Sequence, residues 1–209
     1  MNRWQTKTGL GLARAVMKLA ADKAINEVTV AELCRDAGTT RDTFYRYAAS
    51  PIEVLAAALN EDLAEFSRSV EAFKGDARSY ESLLMSSARE LLEHVKRNQA
   101  IYRHALRPHL DSALRDVLIS RIETVIIEYL ALHPDVPPDV RGIRPNKKEL
   151  LILAAWQASG SVGVIERWVK DRRSLDIERM LDLIFTASAP WWFGRTGTTQ
   201  TPRPHGRKS

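Results

Sequence analysis

Cysteine is almost absent from this 209-residue chain, in which Cys34 is the only cysteine. One cysteine cannot form an intramolecular disulfide, and it excludes any zinc site built from cysteines alone. Long apolar runs are missing too, since no stretch approaches the roughly 18 residues that a membrane-spanning helix needs. Hydrophobic residues make up 44% and charged residues 27%, the mixture of a soluble globular protein. We expect a cytoplasmic protein without a membrane partner.

Signatures of catalysis and of metal binding are also missing. The sequence contains neither a GxSxG elbow nor an HExxH zinc motif. Gly9 and Gly11 do not follow a strand pattern, so they do not indicate a phosphate-binding loop. The five histidines show no zinc-ligand spacing, even where His104 and His109 come close in sequence. We therefore expect no catalytic residue, no metal and no cofactor.

Acidic residues are absent from one end of the chain. Residues 194–209 contain four Lys/Arg and no Asp/Glu, and residues 1–50 contain eight Lys/Arg and five Asp/Glu. Residues 51–193 contain 19 Lys/Arg and 21 Asp/Glu. Basic ends on a nearly neutral body suit a nucleic-acid partner, although a merely solvated surface would give the same counts. The polar arm of residues 1–8 could follow phosphates or be disordered.

Residues 29–38 have the pattern of a short helix with clear ends. Thr29 and Glu32 have the spacing of a capping box. Apolar residues then recur at helical spacing as far as Ala37. Gly38 suits the left-handed residue that commonly ends a helix.

A second short helix is predicted directly after that turn. Thr39 or Thr40 can cap a helix that runs to Tyr47. An amphipathic helix over residues 10–24 would pack across both and complete a three-helix head. A helix, a glycine turn and a helix form the helix-turn-helix layout, whose second helix enters the DNA major groove.

Three segments of this head also carry a family resemblance: Thr29-Val30-Ala31-Glu32-Leu33, then Ala37-Gly38, then Thr43-Phe44-Tyr45-Arg46-Tyr47. They resemble the DNA-binding domain of the tetracycline-repressor (TetR/AcrR) family, over roughly residues 8–60. The resemblance implies double-stranded DNA with a palindromic operator as partner, a homodimer, and a small-molecule effector. The sequence departs from the family pattern at Asp42, Ala48 and Pro51. These departures concern which base sequence is recognised, and they leave the helix-turn-helix motif intact.

Seven residues are candidates for DNA contact: Thr29, Thr39, Thr40, Arg41, Thr43, Tyr45 and Arg46. An arginine can donate two hydrogen bonds to guanine, and threonine can meet thymine methyl groups or phosphates. The resemblance assigns Tyr45 to a phosphate, which positions the protein without reading bases. Phe44 is expected to pack with Leu33 and Cys34, so that Cys34 is a packed residue rather than a redox thiol.

The rest of the chain predicts further helices, so the fold class is all-α. We expect domains at residues 1–50 (DNA-binding head), 51–193 (effector-binding and dimerisation body) and 194–209 (basic disordered tail). Helical spacing predicts helices over 51–73, 79–97, 100–106, 110–130, 147–171 and 177–187, with a proline-rich loop over 134–145 and an apolar plug over 190–193.

The last two helices carry more apolar surface than a small body needs, which is typical of a dimer interface. Small residues recur every four positions in the first of them and permit close approach of another helix. The candidates are Ala155, Ser159, Gly163, Trp168, Met180 and Ile184. A bundle within one chain is the alternative.

The resemblance also implies an effector pocket in the body. Its candidate lining residues are His94, Tyr102, His104, Tyr129 and Trp156, each of which could equally be an ordinary core residue. The hypothesis is a sequence-specific transcriptional repressor that an effector releases from its operator. A ligand-independent, weakly specific DNA-binding protein and a helical enzyme or ligand carrier are the alternatives.

Overall fold

The computed structural model describes residues 3–71, 77–137, 139–171 and 176–193, and their side chains except those of residues 64–71, 77–83 and 193. Within these ranges the chain forms nine α-helices and no β-strand, only two isolated bridges. The predicted all-α class is confirmed. The helices are α1 (Lys7–Asp22), α2 (Val30–Ala37), α3 (Arg41–Tyr45), α4 (Pro51–Glu71), α5 (Ala77–Arg97), α6 (Gln99–His104), α7 (Ser112–Leu132), α8 (Lys147–Lys170) and α9 (Ile177–Ala187).

The two helices of the predicted motif have the expected caps. The Thr29 hydroxyl accepts the Glu32 N–H at 3.2 Å, and Gly38 ends α2 with φ 64° and ψ 38°. The reciprocal half of the predicted capping box does not form, because the Glu32 carboxylate accepts Lys23 Nζ at 2.7 and 2.9 Å instead. That ion pair ties α2 to the end of α1.

The head is built around a small, completely enclosed centre. Phe44 of α3 and Leu33 of α2 have no exposed surface, and Cys34 is 5% exposed. They share one hydrophobic cluster with Leu12 and Val16 of α1. Full burial of one such side chain contributes about 1.5–3 kcal/mol. The short helix α3, which could not be stable alone, is therefore fixed by its packing.

Helix α4 carries this core into the body without a break. It begins at Pro51, and Glu53 accepts the Ala49 N–H at 2.9 Å. Val54, Leu55 and Leu59 are fully enclosed in the cluster that also contains residues of α5, α7 and α8. The head also rests on α6, where His104 donates a ring N–H to the Ala20 carbonyl at 3.2 Å.

The body is a set of long helices closed by a terminal segment. Helix α7 packs along α8, and α9 packs on α5. Pro190–Phe193 forms a 3₁₀ helix in which Trp192 is 4% exposed. The Tyr129 hydroxyl donates to the Trp192 carbonyl at 2.9 Å and holds this segment on α7. No helix of the described ranges is long and apolar enough to cross a membrane.

Candidate DNA-binding surface and effector cavity

Helix α3 is held rigidly at its start. The Thr40 hydroxyl accepts the Thr43 N–H at 3.2 Å and donates to the Thr43 hydroxyl at 3.0 Å. The side chain of Arg46 then donates to the Thr43 hydroxyl at 3.1 Å. These hydrogen bonds orient the Arg46 guanidinium in the unbound protein. Less side-chain entropy is therefore lost when the guanidinium binds a partner.

The predicted DNA-contact residues lie along one short stretch, except Thr29 at the start of α2. Thr40, Arg41, Tyr45 and Arg46 are exposed, and Tyr45 exposes 60% of its surface. Thr29 is exposed, whereas Thr39 and Thr43 are half-buried. The predicted helix to Tyr47 is two residues too long, since α3 ends at Tyr45 and Tyr47 turns inward.

The N-terminal arm is folded against the end of this stretch. Arg3–Gln5 forms a 3₁₀ helix, and Thr6 caps α1. The Trp4 ring meets the Tyr47 ring edge-on with centroids 5.6 Å apart, and the Thr6 and Tyr47 hydroxyls are 2.8 Å apart. Arg3 donates to the Arg46 carbonyl at 3.4 Å. The described part of the arm therefore places the Arg3 cation beside the C-terminal end of α3.

Two of the predicted effector residues belong to a hydrogen-bonded junction of α4, α5 and α6. His94, 2% exposed, lies with Nδ1 2.6 Å from Asp62 Oδ2 and with Nε2 2.9 Å from the Tyr102 hydroxyl. A carboxylate only accepts, so Nδ1–H donates to Asp62, and a second hydrogen bond joins Nε2 to the Tyr102 hydroxyl. The hydrogen bond from His94 is the main reason why the pKa of Asp62 lies below its usual range. Burial raises the pKa of Tyr102, so its hydroxyl stays protonated.

The other three candidates have structural positions as well. His104 is bonded to the head, and Tyr129 is enclosed and bonded to Trp192. Trp156 is 64% exposed on the outer face of α8. None of the five predicted residues is among those that line the apolar cavity of the body.

An apolar cavity of about 110 Å³, partly open to solvent, lies between α5, α7, α8, α9 and the terminal 3₁₀ helix. Among its described lining residues none is charged. Most are aliphatic or aromatic, and the polar ones are Ser87, Gln157, Ser161 and Ser188. Gln157 donates to the hydroxyls of Ser161 and Ser188 over 3.5 Å each, at the upper limit for a hydrogen bond.

The residues predicted for a dimer interface divide between two environments. Ser159 and Gly163 are exposed on α8, and Ala155 is half-buried. Trp168 is 7% exposed and packs inside the protomer, and the half-buried Ile184 lines the cavity. Met180 is half-buried against the core. Ile152 and Trp156 on α8 and Leu183 on α9, which the prediction did not include, are exposed by 66%, 64% and 47%.

A family model described as a transcriptional regulator C-terminal region, of TetR type, matches residues 84–188, just over half of the chain. The chain belongs to the TetR family of transcriptional regulators. The matched residues of this TetR-family chain are those of the body, which contains the cavity. The sequence resemblance noted in the head and the match in the body are thus independent of each other. No curated protein sequence matches.

Two of the solved structures with the same fold are described as TetR-family repressors. Thermus thermophilus FadR, a TetR-family transcriptional repressor in complex with lauroyl-CoA, is 18% identical; the match has a TM-score of 0.63 and covers 94% of this chain and 99% of that chain. AlkX from Dietzia sp., a TetR-family repressor implicated in n-alkane biodegradation, is 17% identical, with a TM-score of 0.56 and coverage of 89% and 95%. DhaS, a dihydroxyacetone kinase operon activator, is 17% identical, with a TM-score of 0.56 and coverage of 86% and 94%. At these identities the likeness concerns the fold.

The sequence did not predict two structural features near the candidate sites, the folding of the arm against Tyr47 and the residues that line the apolar cavity. Trp4, a lone aromatic residue among polar ones, was a usable signal for the arm. Gln157 and Ser161 are polar and four residues apart on a mostly apolar helix, so they face the same side of it. That spacing was a usable signal for the cavity.

Proposed function

We propose that this TetR-family regulator is a homodimeric repressor that binds a palindromic operator and leaves it when a small molecule enters the body. The observation that carries the proposal is the surface of α3. Arg41, Tyr45 and Arg46 are exposed on a helix whose other side, at Phe44, is completely buried. Exposed cations and hydroxyls on a rigid short helix suit the major groove and the phosphates beside it.

Helix α4 supplies a route by which the body can control the head. Its first turns pack in the core of the head, and Asp62 further along is bonded to His94 of α5. Helix α5 also contributes Ser87, Leu91 and Leu92 to the cavity wall. A ligand that prefers one position of α5 would therefore shift α4 and the head with it.

The outer face of α8 and α9 supports the homodimer. Apolar side chains are exposed at Ile152, Trp156, Val164 and Leu183. Gly160 and Gly163 lie among them, and a Cβ added at either would meet nothing within 4 Å in the protomer. A second copy can therefore approach this face closely. A dimer places two recognition helices on two half-sites and thereby requires a palindrome.

The first experiment is selection of bound duplexes from a random DNA pool at near-physiological salt, where non-specific phosphate binding is weak. Enrichment of an inverted repeat is the expected result. Binding without enrichment that fades as salt rises would favour the weakly specific DNA-binding protein. A reporter under the selected operator then measures the sign of regulation, with and without the protein.

Two substitutions separate base reading from positioning. We expect Arg41→Ala to cost about 1–3 kcal/mol on the selected operator and to relax preference at one base pair. Tyr45→Phe should weaken all duplexes alike, because a lost phosphate contact carries no sequence information. Lys147→Ala removes one positive charge from the body surface and should leave both properties unchanged. Uniform weakening by both head variants would contradict the assigned roles.

A further inference from the structure

The inner wall of the apolar cavity consists mainly of buried aliphatic side chains. These come from α5, α7 and α8 and are exposed by 7% or less: Leu91, Leu92, Val125, Ile126 and Ile165. Ser87 and Trp192 are the other buried residues of the described lining. A polar group placed against the aliphatic side chains would lose its hydrogen bonds to water without replacement. The part of a ligand that reaches this wall must therefore be apolar.

Three polar side chains of the lining lie together where α8 meets the end of α9. Gln157, Ser161 and Ser188 are half-buried, so they lie nearer to solvent than the inner wall does. Gln157 Nε2 is 3.5 Å from the Oγ atom of each serine. Both serines line the cavity, and a serine side chain ends at its Oγ atom. An amide nitrogen within hydrogen-bond distance of both hydroxyls therefore borders the cavity itself.

The Gln157 amide has unused capacity for hydrogen bonds. Its two bonds are at the upper limit of length, and the Ser188 hydroxyl donates its own hydrogen to the Ile184 carbonyl at 2.8 Å. Within the described ranges no group donates to the amide oxygen of Gln157. An amide offers two donor hydrogens and an acceptor oxygen. A hydroxyl group, which both donates and accepts, therefore fits this amide in either of its two orientations.

The lining also limits the charge of the ligand. None of the described lining residues carries a charge. A buried carboxylate or ammonium group without a counter-charge costs far more free energy than a hydrogen bond returns. Both the enclosed part of the ligand and the polar group beside Gln157 must therefore be neutral.

The volume of the cavity limits the size of the enclosed group. An apolar protein cavity of about 150 Å³ is known to hold benzene, and this one is about 110 Å³ and partly open. One ring or a short alkyl segment fits inside, and a longer molecule would extend through the open side.

We propose that the cavity binds uncharged amphiphilic molecules, with an apolar group against the inner wall and a hydroxyl-type group at the Gln157 amide. The proposal rests on the effector role assigned to the body above. It adds the chemical class of the effector and the residue that binds its polar end. An aromatic or short-chain alcohol belongs to this class, whereas ionised acids and amines do not.

Calorimetric titration of the full-length protein with four single-ring probes tests the chemical class. Benzyl alcohol has a ring and a hydroxyl, toluene has the ring alone, and benzoate and benzylammonium carry opposite charges. We expect both neutral probes to bind. Each charged probe should bind at least about tenfold more weakly than benzyl alcohol, because a charge loses its hydration in the cavity. A charged probe that binds as tightly as benzyl alcohol, or no binding of benzyl alcohol, would overturn the proposal.

The variant Gln157→Leu removes the amide and keeps a side chain of similar size. Affinity for benzyl alcohol should fall about three- to tenfold, the effect of one lost hydrogen bond between neutral groups, whereas toluene affinity should not decrease. The control is Gln5→Leu, the same change at an exposed position of the arm, which should bind both probes as the wild type does. A Gln157→Leu protein that binds benzyl alcohol as tightly as the wild type would overturn the role of the amide.

The variant Ala88→Leu tests whether the probes bind in this cavity. Ala88 is a half-buried lining residue of α5, so the larger side chain would occupy part of the cavity. Both neutral probes should lose at least about tenfold in affinity. Ala131→Leu makes the same change at an exposed position of α7 and should keep the wild-type affinities. A folded Ala88→Leu protein with unchanged affinities would overturn the location of the site. The wild-type titrations remain decisive if neither lining variant folds.

Release from the selected operator separates this proposal from the proposed function. Benzyl alcohol binding that leaves the operator complex intact would support the ligand chemistry and contradict the effector role. Release by charged molecules alone would support the effector role and overturn the ligand chemistry proposed here.

Discussion

Asp62 is the side chain that ties α4, the helix leading from the DNA-binding head, to the buried centre of the body. It accepts from His94 at 2.6 Å and from Asn98 at 3.4 Å, and Arg97 lies 4.0 Å away. His94 passes the connection on to Tyr102 of α6, the helix that packs on α1. Asp62 and its partner His94 therefore join α4, α5 and α6.

This geometry gives a prediction about pH. The pKa of Asp62 is lowered in the folded protein, mainly by the hydrogen bond from His94. A carboxyl group with a lowered pKa stabilises the fold above its unfolded pKa of about 4, and this contribution disappears as pH falls through the folded pKa. Asp62→Asn should therefore be less stable than the wild type at neutral pH, and the difference should shrink below about pH 4.

Urea unfolding at neutral pH and near pH 3 measures both differences. Asp135→Asn is the control, because its carboxylate is 98% exposed and lies 3.8 Å from a half-exposed arginine. It should change stability little at either pH. A deficit of Asp62→Asn that stays constant across this range would show that the carboxylate charge is not what holds the junction.

Residues with local roles could be assigned from the sequence, and those with distant partners could not. Thr29 and Gly38 are predictable as cap and turn, and the second cap is predictable as Thr39 or Thr40, of which the structure selects Thr40, because a cap bonds a backbone group two or three residues away. The junction of Asp62, His94 and Tyr102 joins positions 32 and 8 residues apart. No local pattern indicates such a partnership, so His94 and Tyr102 were predicted for a pocket instead.

The 3₁₀ helix Arg3–Gln5 depends on a glycine of the neighbouring helix. A Cβ at Gly9 would come within 2.7 Å of the Trp4 backbone and of the Arg3 carbonyl. These are backbone atoms, so a side-chain rotation cannot relieve the contact. The absence of a side chain at Gly9 is therefore what lets the arm lie against Tyr47 and the end of α3.

We expect Gly9→Ala to displace the arm and to destabilise the protein by about 1–3 kcal/mol, the usual cost of overpacking. Limited proteolysis should show faster cleavage around residues 3–6, and affinity for the selected operator should fall because Arg3 leaves Arg46. Leu10→Ala, at an exposed neighbouring position, should change neither the cleavage pattern nor the affinity. An unchanged pattern in Gly9→Ala would mean that α1 can shift to accept the methyl group.

Helices were predictable where the sequence marks their ends. Asn146 and Glu149 form a complete capping box, and α8 starts at the predicted residue. The bounds of α9 also agree with the prediction. Other predicted bounds differ by up to three residues: α1 begins at Lys7 rather than at residue 10, and α3 ends at Tyr45 rather than at Tyr47. Tyr47 leaves the helix to meet Trp4 and Thr6, a tertiary contact that overrides the local pattern.

The arrangement of the helices needed the structure. Periodicity identifies the apolar face of each helix but not the helix that covers it. One hydrophobic cluster runs from Leu12 in the head to Leu181 in α9. The domain boundary expected at residue 50 does not predict a core that is continuous across it. The lining of the cavity is mostly aliphatic and aromatic, and it is spread over residues 84–192 on α5, α7, α8, α9 and the segment after α9.

Assembly of two protomers gives the last prediction. Gly163 is exposed on α8, and a Cβ there meets nothing within 4 Å in the protomer. Leucine at this position should therefore leave the protomer folded but hold a second copy away from the face that exposes Ile152 and Trp156. We expect Gly163→Leu to sediment as a monomer and to lose cooperative binding to an inverted repeat, while weak binding to a half-site persists.

A leucine at another surface position is the control that separates loss of the dimer from a general effect of added hydrophobicity. Lys96→Leu places the same side chain at an exposed position of α5 and should sediment as the wild type does. Unfolding temperatures of both variants, measured at high dilution where dimers dissociate, should be similar, because neither site is packed within the protomer. A Gly163→Leu protein that remains a dimer would exclude close approach at α8. The exposed side chains of α8 and α9 would then need a different partner.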